Sequence, residues 1–234
     1  MDGLACPPAL LQAGVGQMLA RALKAWPLIE LQVLAGNGAV DVWEGGVDLA
    51  LRVRPAQAAL PADEIVRTLA ISPHVLVAAP QLLARAAPPA VPQDVLALPT
   101  LGLDAQADEA LWTLRPPKAD RGKGKGAEPV ALAHRPRLQV NDMAALLCAA
   151  LAGVGCAVLP RMLAHEALAD GRLQQLLPDW QLPAWSVQVA FATRRGMRAA
   201  VRQVIDELAG GFEELIARGQ CLPAGPTTHQ LRPV

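Results

Sequence analysis

Tyrosine is absent from this chain of 234 residues, and phenylalanine occurs twice. Proteins that read unpaired RNA stack its bases on aromatic rings, so this scarcity argues against a base-stacking surface. Net charge is lacking too, with 21 basic residues against 21 acidic ones. A surface that neutralises phosphates carries an excess of lysine and arginine, and nothing here advertises nucleic acid or membrane binding. No apolar run reaches the ~18 residues of a membrane span. The N-terminus, MDGLACPPALL, has neither a basic region nor a hydrophobic one, so a secretory signal is not expected. Cys6, Cys148, Cys156 and Cys221 form no CxxC pair and no metal spacing. The first expectation is therefore small apolar packing residues in a reducing cytoplasm, with no metal, cofactor or disulfide framework. His74, His134 and His165 sit in no Ser/His/Asp or metal pattern, which speaks against an enzyme.

What is present is a hydrophobic content of 53%, enough for a sizeable core in one large domain or two small ones. The organising stretch is Val140 to Pro160, VNDMAALLCAALAGVGCAVLP. Leu138 and Val140 close a strand. Asn141 and Asp142 are both suitable helix caps. Met143 to Ala152 carries good helix formers and no charge, which predicts a buried helix holding Cys148. Gly153 suits the helix stop, and Gly155 to Leu159 fits a short strand covered on both faces. Strand, helix and strand make a βαβ unit, and small ligands bind where such a strand ends and the helix begins. An ordinary core unit with no ligand fits the same residues.

The spacing of Leu11, Val15, Met18, Leu19, Ala22 and Leu23 predicts a helix over 10–26, ended by Pro27. Strands are expected at 29–33, 48–53, 65–71 and 74–78, with a short helix at 40–44 stopped by Gly45-Gly46. This αβαβ rhythm belongs to parallel α/β sheets with right-handed crossovers. Gln81 to Arg85 follows Pro80 as a helix. Residues 87–99 form a surface connection in which Asp94-Val95-Leu96 can make a helical turn. Pro99 to Gly102 ends a strand. The segment RPPKADRGKGKGAE, 115–128, is a hairpin tip; a phosphate-gripping loop would need GxxxxGK[ST] and a following helix. Arg161 to Ala169 is a helix, 173–177 a short strand, and Val187, Val189 and Phe191 alternate as another. Met197 to Ile216 is an amphipathic helix whose apolar face is Val201, Val204, Ile205, Leu208, Phe212 and Leu215. The tail from Gly219 has no periodicity and is expected to be loose.

Breaks at Ser72-Pro73 and Leu182-Pro183 flank one α/β run. That pattern describes one α/β lobe inserted into another: residues 1–72 with 187–218, and 73–186, with 219–234 as tail. Two lobes joined by crossing strands close like a hinge on a ligand.

The order LARALKAWPLIELQVL, VDVWEGGVDLALRVRP, HVLVAAPQLLARAAPP, LQVNDMAALLCAALAGVGCAVLPRMLAHEALADGRLQQLLPDW and VQVAFATRRGMRAAVRQVIDELA resembles the effector-binding domain of LysR-type transcriptional regulators, from about Leu4 to Ile216. The resemblance implies an α/β fold of two Rossmann-like lobes with a hinge, like type 2 periplasmic binding proteins. It implies a small-molecule effector between the lobes, which modulates DNA binding by a helix-turn-helix part. No helix-turn-helix pattern precedes the matching stretch, so contact with DNA is expected only through such a part. It also implies a cytoplasmic homodimer or tetramer without catalysis. Carried over from the family, effector contacts fall at Cys6 and Ala9, at Arg54, at Thr100, Leu101 and Gly102, and at Asn141, Asp142 and Met143. Arg54 suits a bidentate carboxylate grip, although an arginine at a strand exit commonly faces water. Where many family members place Ser or Thr, this chain has Cys6-Pro7-Pro8-Ala9. The prolines remove two N–H donors and no hydroxyl is present, which allows an apolar or uncharged effector. Two other readings share some of these features. A transporter's solute-binding protein has the same fold but needs a signal peptide. A redox sensor would use Cys148 and Cys156, whose apolar setting opposes reactivity.

Overall fold

The computed structural model describes residues 2–38, 47–56, 65–84, 87–103, 109–117, 128–191 and 198–225. The expected helix at 40–44, the end of the helix at Arg85 and the tip residues 118–127 lie outside them. The chain divides into two compact units, Met1–Ser72 with Trp185–Val234, and Pro73–Ala184. The second division falls before Trp185, two residues earlier than the sequence places it. Trp185 and Ser186 are already strand residues, paired with Pro55 and Arg54 on one side and with Ser72 and Ile71 on the other.

The first unit is built on five strands: β1 (Asp2–Cys6), β2 (Leu31–Ala35), β3 (Leu49–Pro55), β4 (Ile65–Ser72) and β12 (Trp185–Phe191), in the order β2-β1-β3-β12-β4. β1 is parallel to β2 and β3, whereas β12 runs antiparallel to β3 and β4. The sheet is thus mixed rather than all parallel, because β12 returns from the second half of the chain. Alternation had placed β2 at 29–33. It runs two residues later, and it is an outer strand with mostly exposed side chains, so burial imposes no strict period on it.

The first helical stretch starts earlier than its apolar spacing predicts. Pro8 takes the first position of α1 (Pro8–Leu10), where a missing N–H costs nothing. A π turn (Leu11–Val15) follows, then α2 (Gly16–Ala25). Gly14 has φ +136° in the π turn, a conformation that side chains with a Cβ resist. Helix α6 (Ala199–Ala217) buries all six residues of its expected apolar face. It crosses α2 closely at Gly211, where a Cβ would lie 2.5 Å from Cγ of Met18. Arg21 on α2 reaches Glu207 at 2.8 Å and Glu214 at 3.0 Å on α6. These exposed pairs contribute at most ~1 kcal/mol each; the buried Leu208 and Phe212 contribute more. The chain after α6 is not loose at its start: Ile71 and Leu222 exchange two backbone hydrogen bonds, of 2.9 and 2.8 Å, and Cys221 is buried.

The second unit repeats the first unit's strand order. β5 (His74–Ala78) lies between β10 (Ala157–Pro160) and β11 (Gln174–Leu176), antiparallel to both. β6 (Leu101–Gly102) is parallel to β9 (Leu138–Gln139). A parallel bridge between Thr100 and Cys156 joins β6 to the approach of β10. The order is then β9-β6-β10-β5-β11: three parallel strands, then two antiparallel neighbours, as in the first unit. β7 (Ala110–Leu114) and β8 (Val130–His134) form an antiparallel hairpin whose arms the sequence reading did not assign as strands. A 3-10 turn (Pro92–Ala97) lies on this hairpin's side of the core, with Val95 buried against the cluster that holds Trp112, Leu114 and Leu132. Helix α3 (Pro80–Leu83) is a single turn. Helix α5 (Arg161–Ala169) has the bounds the sequence predicts.

Helix α4 (Met143–Leu151) corrects an expectation. Its sequence is apolar throughout, yet only Leu146 and Ala150 are fully buried, and Cys148 is exposed. A helix laid on one side of a sheet covers one face whatever its composition, and here that face is Leu146 and Ala150 against Leu101, Val77 and Leu159. The Cys148 thiol is therefore not buried, as a helix covered all round would have made it.

Candidate functional site

In the second unit, backbone hydrogen bonds gather two of the predicted segments. The Val140 N–H donates to the Gly102 carbonyl at 3.0 Å, which sets the end of β6 beside the start of α4. Asp142 is the N-cap of α4, and its Oδ1 accepts the Ala145 N–H at 2.8 Å. The cap is thus Asp142, and Asn141 stands exposed one residue outside it. The amides of Met143 and Ala144 belong to the first helical turn, whose N–H groups have no partner within the helix. Such a corner, strand end beside helix start, attracts acceptor groups; the Asp142 carboxylate next to it opposes a second negative charge.

The other two residues of the 100–102 segment turn elsewhere. Leu101 is buried in the core with Leu146 and Ala150, so its side chain offers no surface to a ligand. Thr100 Oγ1 lies 2.8 Å from Nδ1 of His134 and donates to the Arg135 carbonyl at 3.4 Å. Gly102 has Pro136 close by: a Cβ there would sit 2.7 Å from Cγ of Pro136. Glycine is needed at Gly102 for this approach, not for an unusual φ. His134, which belonged to no sequence pattern, is the missed residue. Its partner stands 34 positions away, so no local spacing announces the pair.

In the first unit, Cys6 is the last residue of β1 and is buried. Burial pushes its thiol up to about 12, and its Sγ lies 3.5 Å from the Pro7 carbonyl. Cys6 therefore acts as a neutral packing group, not a nucleophile. Ala9 lies in α1 and is partly exposed, and Pro7 caps that helix with no side-chain hydrogen bond. Arg54 lies within β3 rather than at its exit, and its carbonyl accepts the Ser186 hydroxyl at 3.3 Å. Two further thiols are held up by burial, Cys156 to about 12 and Cys221 to about 11. Among the described residues no group of three or more His, Cys, Asp or Glu is placed to hold a metal. No helix among them is long and apolar enough to cross a membrane.

Comparison with known proteins agrees with this architecture. The family model described as LysR substrate binding domain matches residues 3–213. The HTH-type transcriptional regulator PtxR of Pseudomonas aeruginosa is 27% identical over 206 residues, covering 88% of this chain and 62% of that protein. The HTH-type transcriptional regulator DmlR of Escherichia coli is 29% identical over 192 residues, covering 82% of this chain and 58% of that protein. The chain thus spans about three fifths of the length of these relatives. Among solved structures, the regulatory domain of CrgA from Neisseria meningitidis superposes with a TM-score of 0.75 at 19% identity, covering 90% of this chain and 98% of that one. Full-length AphB of Vibrio cholerae gives 0.75 at 22% identity, covering 89% of this chain and 67% of that one. These two likenesses concern the fold, a two-lobe α/β fold of the periplasmic-binding-protein kind. The chain belongs to the LysR substrate binding domain family, the effector-sensing module of LysR-type transcriptional regulators.

Proposed function

We propose that this domain binds a small organic effector at the strand ends described above and that, in the whole regulator, binding alters DNA contact made by a helix-turn-helix part. The observation that carries this is the pairing of Gly102 with Val140, which sets unpaired helix amides beside a strand's carboxyl end within a chain matched by the family model. The effector contacts in the second unit are Gly102, Asn141, Asp142 and Met143. Thr100 and Leu101 drop out of this set because their side chains are engaged elsewhere. The Asp142 charge favours a neutral or weakly charged effector. The domain performs no chemistry in this account; it converts ligand binding into a shift between conformational states.

The whole protein is proposed to act in the cytoplasm as a homodimer or a tetramer. Support for self-association is the outer position of β2 together with Leu28, 98% exposed, and Trp26, 45% exposed. A strand edge with no further neighbour among the described residues, beside exposed apolar side chains, favours a protein partner. Light scattering after gel filtration tests this, with twice the chain mass expected or a multiple of it.

Thermal denaturation against a panel of neutral and weakly acidic aromatic compounds, amino acids and sugars tests the effector reading. A ligand at ~100 times its Kd adds about 2.7 kcal/mol. For a domain of this size that raises Tm by roughly 5–10 °C. A panel that leaves Tm unmoved speaks against it.

A further inference from the structure

We draw no further inference here: the strongest candidate, the exposed apolar surface patch that Leu111, Ala131 and Ala133 form on the outer face of the β7–β8 hairpin, carries nothing because nothing in the structure shows what covers it.

Discussion

The Gly102 carbonyl accepts the Val140 N–H at 3.0 Å, and this one bond sets the end of a strand against the start of a helix. Two residues on, Asp142 caps that helix through Ala145. Strand end, turn and cap are thus one local assembly, and its parts are open to separate tests.

Removing the cap separates stability from charge. Asp142→Ala should destabilise the domain by about 1 kcal/mol, the usual worth of an N-cap, measured by urea denaturation with an unchanged slope. Asp142→Asn keeps a capping oxygen and should cost much less. It should also strengthen binding of any anionic effector, since the opposing carboxylate is gone.

At Gly155 the approach to β10 passes close to the approach to β6. A Cβ there would lie 2.8 Å from the Pro99 carbonyl oxygen and 3.0 Å from Cγ of Leu101. The oxygen is backbone and is held by the 2.8 Å bond from Cys156 N–H, so it has no room to yield. Gly155→Ala should cost roughly 1–3 kcal/mol by overpacking. Gly171→Ala, with nothing near its Cβ, should cost only the strain of its φ of +78°.

His74 makes stability depend on pH. Burial lowers its pKa to about 4, partly opposed by its bond to the Pro183 carbonyl at 3.1 Å. In the unfolded chain the ring takes its proton near pH ~6.5. Between these values the unfolded state binds more protons, so stability is full above about 6.5 and falls as pH drops toward 4. At 1.36 kcal/mol per unit the loss is at most ~3 kcal/mol, reduced by water reaching the ring's open side. Denaturant midpoints measured across this range should fall, and His74→Gln should flatten the trend.

Thiol chemistry should single out one cysteine. Cys6, Cys156 and Cys221 are buried, with thiols held up near 11 to 12, whereas Cys148 is exposed on α4. Native protein should consume one equivalent of a maleimide rapidly, at Cys148 by peptide mapping, and the remaining three only on unfolding. Fast labelling of Cys156 would contradict the described packing.

Much of the fold was legible because burial writes its period into the residues. The apolar face of α6 and the bounds of α5 follow from helical spacing and from Pro160 and Asp170 at the ends. β2 was misplaced by two residues because an exposed outer strand carries no strict alternation. The arms of the β7–β8 hairpin bury Trp112, Leu114, Leu132 and His134 at period 2, but leucine and alanine at the outward positions Leu111, Ala131 and Ala133 blur the alternation in the sequence. In the candidate site, the cap at Asp142 could be read from residue type. The direction of Thr100 could not. It depends on His134, a contact across 34 positions that leaves no local trace. Composition also misled at α4, where apolar residues pointed to burial all round but the helix has only one sheet to lie on.

The central claim is that a small effector engages the Gly102 and Asn141–Met143 corner. Its most direct test is amide NMR mapping with whichever panel compound raises Tm the most. The account predicts saturable shifts concentrated at Gly102 and Asn141–Ala144. A stabilising compound whose shifts leave these residues untouched would contradict it.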